Sequence, residues 1–506
     1  MSISSIPLHL FLFSLFPLFL IVIDNTHEIP LEDVFLPSVI SLAIATTIWI
    51  ILRNFLGGKK SALIISVVLI VWIVVSQIRV AVINIELEML QILGSNKLLI
   101  PIFFVISVPA IIYIIKKNIS NESIPIVNVI SMVIFGFLIF QVVNYDSTNM
   151  EEYSAIKENI RIPIIQSDVV DKPDVYFILL DAYSGDVTLE KDYNFDNSKF
   201  KNELRDRGFF VQEPSYSNYP NTEAALPSIL NMMYLDSINE IVGKDSDDKK
   251  ILIELRDGNN VMDIFNNNGY DLTYIFGGAT ASPSDDTEFE IVCGRGFLNM
   301  NEDLQRSIVH TYFSVQYLRT MMFNDFRAHD IQCARNEVLN FENNDQVPQY
   351  LHVHMYLPHP PLIYDSEGNK IQNTFSYNRF DPSLRDAYLE QTIYTNKITI
   401  EMIDSIQQKD DSAVIIVMSD HGGRLGINWE NPTVMDYNRG LNNISALYFP
   451  GHENEIPEEI AAVNTFRVFF NTYFNTDYEI LEDRQMWYVP ERPWDQIDVT
   501  EKLLKN

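Results

Sequence analysis

Long apolar runs separated by short polar loops fill the first part of the chain. Five runs reach the length of about 20 residues that a helix needs to cross a hydrocarbon core. They lie near residues 6–23, 35–55, 61–83, 98–115 and 123–143. The first is not typical of a signal peptide, because it lacks a basic start and a cleavage site of small residues. We therefore predict a membrane domain of five transmembrane helices over residues 1–145.

Loop charges predict the orientation of these helices. The loop after the first run has no Lys or Arg, whereas RNFLGGKK after the second has three, and the fourth loop begins with Lys116 and Lys117. Basic loops stay in the cytoplasm, so the amino terminus is expected inside and the residues after the fifth run outside. Charged residues are scarce within the runs, which favours an anchor over a transporter. The third loop, NIELEMLQIL, fits a short interfacial helix or an ordinary connector equally well.

A different pattern begins after a polar linker at residues 146–172. Val175–Leu180 is an uninterrupted apolar run, typical of a strand that is buried on both faces of a parallel sheet. Similar runs occur in YLHVHMYLPHPP and SAVIIVMSDHGG, and YDLTYIFGG and ISALYFPG are typical of two more strands. Helical patterns lie between the strands, as at 196–208 and 383–407. This alternation predicts an α/β domain over residues 173–506, with a mainly parallel central sheet flanked by helices.

Side chains of the metal-ligand type follow three of these strands. The first strand ends at Asp181, SAVIIVM is followed by Asp420 and His421, and YLHVHMYLPHPP leads to His359. Ligands bind beyond the carboxyl ends of parallel strands, so these side chains are expected to converge. Two carboxylates and one imidazole suit one divalent cation, with Zn²⁺ or Mn²⁺ favoured and Mg²⁺ or Ca²⁺ as alternatives. A hydroxyl group would complete such a site.

The stretch SNYPNTEAALPS, residues 217–228, supplies the candidate hydroxyl. Thr222 precedes Glu223 and two alanines, so it is expected to cap a helix. Pro227 indicates that this helix begins late or bends there. A helix amino terminus favours a bound anion, and a cation would activate the hydroxyl as a nucleophile. The cap and the nucleophile are therefore compatible interpretations of Thr222.

Charge and cysteine content narrow the possible functions. The formal net charge is −31, and nearly all of it lies after residue 150. Such a surface repels phosphate backbones, which argues against nucleic-acid binding. Cys293 and Cys333 are too few for a four-cysteine zinc site. A disulfide, if this part lies outside the cytoplasm, and two free buried thiols remain equal alternatives.

Four motifs in order resemble the alkaline phosphatase and sulfatase superfamily. They are FILLDAYS, NYPNTEAALPSILNMMYL, HMYLPHPP and VIIVMSDHGG. With five predicted spans before them, the architecture is similar to that of lipoteichoic acid synthases and phosphoethanolamine transferases. Those proteins have a membrane domain of five helices before an extracytoplasmic catalytic domain. The resemblance covers nearly the whole chain.

The resemblance also implies roles for individual residues. The residues that match metal ligands are Asp181, Thr222, Asp420 and His421, and Thr222 also matches the nucleophile. His359 matches a histidine that contacts the phosphoryl group. It is also a candidate general acid for the leaving alcohol. His354 lies where phosphoethanolamine transferases have a further active-site histidine. His352 alternates with it along the strand and is a weaker candidate, and Arg424 is a candidate substrate contact.

Some residues depart from the family patterns. Asp181 stands where lipid-phosphate transferases usually have Glu, and it is closer to phosphatases and sulfatases. Sulfatases need a Cys/Ser-x-Pro-x-Arg signature, which Thr222 does not have around it, and usually a second Asp where Ala182 stands. Sulfatase activity is therefore not favoured. A second metal would require Asp325, His329 and His452, and it is the weaker expectation.

Two further segments are interpreted by their position. Residues 280–345 are expected to form an insertion over the mouth of the active site and to set specificity. The aromatic segment at 463–480 is expected to form a helix packed on the sheet. Its rings belong to the core rather than to a site. They are Phe466, Phe469, Phe470, Tyr473 and Phe474.

These observations predict a membrane-anchored, metal-dependent transferase that acts outside the cytoplasm. It would move a phosphoethanolamine or phosphoglycerol group from a membrane lipid to a hydroxyl of a cell-envelope glycan or lipid, through a phosphothreonine. One alternative is a sulfatase-like hydrolase, that is, a phosphodiesterase, phosphatase or sulfuric ester hydrolase. The other alternative is a membrane-anchored binding protein without catalytic activity.

Overall fold

The computed structural model of the chain describes two compact units, Met1–Ser154 with Arg295–Met322 and Ala155–Gly294 with Phe323–Asn506. The residues described are 6–24, 34–83, 96–120, 122–160, 162, 169, 172–276, 290–293, 316–342, 347–371 and 382–503. The third loop of the membrane region and most of the expected insertion at 280–345 lie outside these residues.

Apolar helices form the first unit at the predicted positions. They are α1 (Leu8–Asp24), α2 (Phe35–Leu56), α3 (Gly58–Ile83), α4 (Asn96–Lys116) and α5 (Ser123–Ile160). Among the described residues, α2 to α5 are long and apolar enough to cross a membrane, whereas α1 has only 17 residues. Gly57 separates α2 from α3 with a φ of 79°, which a residue with a side chain rarely adopts. The fifth helix continues to Ile160, so residues 146–160 of the expected linker are helical.

A seven-stranded sheet forms the centre of the second unit in the part of the chain that the structure describes. The strands of this unit are β1 (Val175–Leu180), β2 (Phe210–Val211), β3 (Ser215–Tyr216), β4 (Asp271–Phe276), β5 (Glu290–Val292), β6 (Gln349–Met355), β7 (Val414–Met418), β8 (Asn442–Asn443), β9 (Ser445–Tyr448), β10 (Met486–Trp487) and β11 (Ile497–Asp498). The order in the sheet is β2-β9-β7-β1-β6-β4-β5. Strands β7, β1, β6, β4 and β5 are parallel to one another, and β9 is antiparallel to both of its neighbours, β7 and β2. The predicted α/β fold with a mainly parallel sheet is confirmed.

Helices connect these strands and cover both faces of the sheet. They are α6 (Asp186–Tyr193), α7 (Ser198–Arg205), α8 (Thr222–Asn231), α9 (Asp236–Val242), α10 (Lys250–Asp257), α11 (Asn260–Asn267), α12 (Gln316–Asn340), α13 (Pro382–Lys409), α14 (Val434–Leu441), α15 (Thr465–Phe474) and α16 (Thr500–Leu503). Alternate residues of β1 enter two different cores. Tyr176, Ile178 and Leu180 pack towards α7, α12 and α13, whereas Phe177 and Leu179 pack towards α8, α11 and α15.

The aromatic segment after β9 forms α15, as expected. Four of its five rings are fully buried, and Tyr473 is partly buried against them. Phe265 of α11 lies among these rings, with its centroid 5.2 Å from that of Phe470. These rings therefore belong to the core between the sheet and its helices.

The neighbouring strands β7, β1 and β6 determine where the functional side chains meet. Leu179 of β1 is in register with Met418 of β7 on one side and with His354 of β6 on the other. The three carboxyl ends therefore lie side by side at one edge of the sheet. Asp181, the Asp420–His421 pair and the loop that contains His359 all follow these ends.

Cys293 and Cys333 form a disulfide, which decides between the two alternatives of the sequence. Cys293 follows β5 and Cys333 lies in α12, with Cα atoms 5.9 Å apart and a sequence separation of 40. Both residues belong to the second unit. Cross-links of this kind persist in oxidising compartments.

Replacing both cysteines by serine is expected to destabilise the second unit. A disulfide that closes a loop of this length contributes about 2–4 kcal/mol, chiefly by restricting the unfolded chain. Thermal unfolding of the full chain in detergent, with and without reductant, measures the effect. The wild-type protein should unfold at a lower temperature when reduced, and the double variant should not respond to reductant. A wild-type melting temperature unchanged by complete reduction would contradict the expectation.

Candidate functional site

Two carboxylates and one imidazole converge at the edge formed by β1 and β7. Asp181 follows β1 directly, and Asp420 and His421 follow β7 after one serine. Their side chains are 3%, 0% and 0% exposed. His421 Nε2 lies 3.6 Å from Asp181 Oδ1 and 3.4 Å from Asp420 Oδ2. The structure therefore brings together the three residues that the strand pattern singled out.

The polarity of these three atoms suits a cation. His421 Nδ1 lies 2.7 Å from the carbonyl oxygen of Gly422. A carbonyl only accepts, so Nδ1 carries the hydrogen and Nε2 presents its lone pair. Asp181 Oδ1 and Asp420 Oδ2 are buried without a hydrogen-bond partner among the described residues. The three ligand atoms lie within 4.8 Å of one another, so these residues fit one divalent cation.

The charges of the site also favour a cation. Burial and the neighbouring carboxylate of Asp181 raise the pKa of Asp420 to about 7. Burial opposes ionisation of Asp181 as well, but His359, His354 and His421 lower its pKa below the usual value. Burial and Arg424 lower the pKa of His421 to about 3, so this imidazole stays neutral. Two buried carboxylates this close repel each other unless a positive charge lies between them.

Thr222 joins this cluster from the first turn of α8. Its Oγ1 lies 3.0 Å from His421 Nε2, to which the hydroxyl donates its hydrogen. The expectation that Thr222 caps the helix is wrong, because Asn221 occupies that position and its backbone carbonyl accepts from Ala224 and Ala225. The helix does not begin late either. Pro227 is the sixth residue of this helix, where it removes the backbone bond to the carbonyl of Glu223 without ending the helix.

His359, Arg424 and Asn221 form a second layer beside Thr222. The Arg424 guanidinium donates through one nitrogen to Asn221 Oδ1 and through the other to His359 Nε2, at 3.1 Å. Thr222, His359 and Arg424 are partly exposed, in contrast to the sealed carboxylates and His421. Burial and Arg424 lower the pKa of His359 to about 3, against the opposing effect of Asp181.

The two histidines of β6 occupy different surroundings. His354 Nε2 lies 3.3 Å from Asp181 Oδ2, so this side chain belongs to the site. His352 is fully buried one pleat away, between the rings of Phe177 and Tyr274, with centroids 4.8 and 4.1 Å away. Burial keeps its pKa well below the usual value. His352 is therefore a core residue, and its candidacy as a site residue is not supported.

The three residues considered for a second metal are not brought together. Among the described residues, Asp325, His329 and His452 belong to no cluster of ligand atoms. Asp325 is 67% exposed and pairs with Lys370, and His329 is 78% exposed on the same helix. His452 instead lies 2.9 Å from Glu455.

Sequence reasoning overlooked the residues that hold the loop after β1. The Tyr388 hydroxyl, on α13, donates to the carbonyl of Ala182 at 2.6 Å and accepts from the backbone of Ser184. Ser419 Oγ accepts from the backbone of Tyr183 at 2.9 Å. These are ordinary polar residues in sequence, and only the packing of α13 against the site reveals them. Asn221 had a weak signal through its place beside Thr222.

Comparison with known proteins identifies the family of the chain. The sulfatase family model matches residues 173–466. No curated protein matches the sequence.

Several solved structures are similar to the chain. The integral membrane protein lipooligosaccharide phosphoethanolamine transferase A from Neisseria meningitidis is 13% identical, with a TM-score of 0.36 and 90% of each chain covered. The C-terminal periplasmic domain of EptC from Escherichia coli, in complex with Zn, is 12% identical, with a TM-score of 0.43, covering 67% of this chain and 97% of that one. The corresponding domain of phosphoethanolamine transferase EptC from Campylobacter jejuni is 12% identical, with a TM-score of 0.38, and the coverage is 61% and 92%.

We expect one divalent cation per chain, bound by the buried cluster. Asp420→Asn should weaken the binding by more than about 100-fold, because even residues that only support a metal ligand contribute about 10–100-fold. Elemental analysis of the full chain after loading with Zn²⁺ or Mn²⁺ and desalting measures the bound ion. Asp325→Asn, which neutralises an exposed carboxylate, is the matched control and should bind one ion. Equal loss of the ion in both variants would contradict the assignment.

Proposed function

The chain belongs to the sulfatase family, and from that premise we propose that it transfers a phosphoryl group through Thr222 at a membrane surface. Enzymes of this family bind a metal, and the chain is accordingly a metal-dependent phosphotransferase or hydrolase of the sulfatase-like type. The finer proposal is a transferase that takes a phosphoethanolamine or phosphoglycerol group from a membrane lipid. The acceptor is a hydroxyl of a glycan or lipid of the cell envelope.

The position of Thr222 carries this proposal. Its hydroxyl is the partly exposed member of a cluster whose other members are sealed, at 3.0 Å from His421 Nε2. It also lies at the amino terminus of α8, where the helix dipole favours an oxyanion and a bound phosphoryl group. A nucleophile needs this combination of activation and access.

We propose that Asp181, Thr222, Asp420 and His421 hold one divalent cation, Zn²⁺ or Mn²⁺. Such a cation lowers the pKa of a bound hydroxyl and offsets charge on phosphoryl oxygens. The fit of the buried carboxylates to a cation supports this assignment.

The first step transfers the group from the lipid to the protein. Thr222 Oγ1 loses its proton to solvent and attacks phosphorus, a P–Oγ1 bond forms, and the bond from phosphorus to the lipid oxygen breaks. The lipid oxygen leaves with the electron pair of that bond and takes a proton from solvent to become the alcohol. Arg424 and His354 contribute to binding the substrate around the reacting phosphorus. The product is a phosphothreonine, from which an acceptor hydroxyl takes the group in the second step.

The identity of the nucleophile favours phosphate over sulfate. A sulfatase of this family converts Cys or Ser to formylglycine, and the threonine at position 222 is neither. Water in place of the acceptor hydroxyl would make the protein a phosphodiesterase or phosphatase, which is the second candidate. A binding protein without activity is the third, and the complete set of ligands opposes it.

We propose that the amino terminus lies in the cytoplasm and the catalytic domain outside. The basic loops after α2 and α4 support this orientation. The disulfide between Cys293 and Cys333 supports it independently, because such bonds are rare in the cytosol. The second unit would then face the lipid and glycan substrates of the envelope.

Thr222→Ala should abolish transfer, because it removes the hydroxyl that is proposed to form the covalent intermediate. Activity on vesicles of phosphatidylethanolamine or phosphatidylglycerol is expected to fall by at least about 1,000-fold. Intact-mass spectrometry of the metal-loaded full chain should show an adduct on Thr222 in the wild-type protein, and its mass identifies the transferred group. Thr222→Ser is the matched control, because it retains a hydroxyl and should remain modified. Undiminished turnover by Thr222→Ala would sink the mechanism.

A further inference from the structure

The hydrogen bonds of His359 determine which of its nitrogens carries the hydrogen. His359 Nδ1 contacts the carbonyl oxygen of Pro360, which can only accept. Its Nε2 lies 3.1 Å from a guanidinium nitrogen of Arg424, which can only donate. The imidazole is therefore neutral, with its hydrogen on Nδ1 and a lone pair on Nε2. In this form Nε2 has no hydrogen to donate, either to a phosphoryl oxygen or to a leaving alcohol.

Arg424 links the loop of His359 to the loop of the nucleophile. One guanidinium nitrogen donates to Asn221, the residue before Thr222, and the other donates to His359. The backbone of Arg424 is left-handed, with a φ of 58°. Together with the two glycines before it, this turn directs the side chain back across the strand ends. The guanidinium therefore lies between the nucleophile and the imidazole, where a phosphoryl group would bind.

We infer that Arg424 is the protein group that holds the phosphoryl oxygens, and that His359 Nε2 accepts the proton of the second substrate's hydroxyl. The inference rests on the proposed function and divides its two steps between two residues. Arg424 acts in both steps. His359 acts in the second step only.

The second step moves the phosphoryl group from Thr222 to the acceptor hydroxyl. The acceptor hydroxyl loses its proton to His359 Nε2 while its oxygen forms a new bond to phosphorus. The P–Oγ1 bond breaks, and its electron pair returns to Thr222 Oγ1. Arg424 then donates to the phosphoryl oxygens instead of to Nε2, which leaves that lone pair open to the hydroxyl. The proton on His359 is later passed to Thr222 or to solvent, which restores the resting enzyme.

The surroundings of His359 hold its imidazole in one orientation. The ring of Tyr356 packs against the imidazole, with centroids 4.3 Å apart. Gln391 donates to the backbone carbonyls of Pro358 and His359, at 3.1 and 3.2 Å. Loop and ring are thus held on one side, while Nε2 on the other side accepts from the Arg424 guanidinium. The half-buried position keeps Nε2 within reach of a second substrate.

The two steps can be separated with bis(4-nitrophenyl) phosphate, whose nitrophenolate leaves without a proton. With the metal-loaded full chain in detergent, His359→Gln should release a burst of about one nitrophenolate per chain, at a rate within about threefold of wild type. Its steady turnover to an added alcohol should fall by about 100-fold or more, the usual contribution of general base catalysis. Intact mass should show Thr222 modified during turnover.

Arg424→Lys should behave differently, because a point charge replaces the guanidinium that spans the site. The burst itself should slow by about 100-fold, as after removal of one donor to an oxyanion. His452→Gln, which changes a histidine away from the ligand cluster, is the matched control and should leave both phases unchanged. His359→Asn is measured in parallel with His359→Gln. The role of His359 can then still be tested if one of these two variants fails to fold.

Parallel loss of burst and turnover in a folded His359 variant, with Thr222 unmodified, would overturn the inference. It would show that His359 is needed in the first step. The proposed function fails in a different way, since its failure would leave Thr222 unmodified in the wild-type protein too. A more acidic acceptor gives an independent readout. When trifluoroethanol replaces ethanol as the acceptor, the steady turnover of His359→Gln should rise by a factor at least about tenfold larger than that of the wild-type protein. The reason is that an acidic alcohol depends less on a base to remove its proton.

Discussion

The repulsion between two buried carboxylates is the constraint on which the site depends. Asp181 and Asp420 end adjacent parallel strands, and both are almost fully sealed from solvent. Neither can move away, because the backbone of each continues a central strand of the sheet. Hydrogen bonds relieve part of the charge, since Asp420 Oδ1 accepts from the backbone of Ala182 and His421. Asp181 Oδ1 and Asp420 Oδ2 have no such partner among the described residues, and a bound cation would offset their charge.

The turn after β7 shows what the fold requires to maintain this arrangement. A Cβ on Gly422 would lie 2.4 Å from the backbone oxygen of Arg439, and one on Gly423 would lie 2.6 Å from Ser184 Oγ. Both positions exclude a side chain, because rigid neighbours occupy the space. The close approach lets His421 return its Nδ1–H to the carbonyl of Gly422 and aim Nε2 at the carboxylates. The two glycines therefore allow the close backbone approach that orients the His421 imidazole.

Much of this could be predicted from the sequence, because strand ends carry a strong signal. A buried strand is apolar throughout, so a polar residue directly after it, such as Asp181, marks the edge where ligands meet. The short edge strand β2, the antiparallel direction of β9 and the order in which the strands pair had no such signal, since they depend on contacts distant in sequence. The disulfide was undecided because it also joins residues that are distant in sequence. The helix start at Thr222 was misjudged, because Pro227 was expected to delay or bend the helix, whereas the helix contains it as its sixth residue.

The residues proposed to bind the cation and those proposed to handle the substrate lie on different parts of the fold. Asp181 and His421 follow strands and are buried, whereas Arg424 and His359 are partly exposed and lie on two loops that a hydrogen bond between them connects. A guanidinium can change partners without disturbing a strand. The Arg424 side chain spans the distance from Asn221, the residue before the nucleophile, to His359. A substrate that enters must displace that hydrogen bond, so binding of the phosphoryl group and release of the base are the same event.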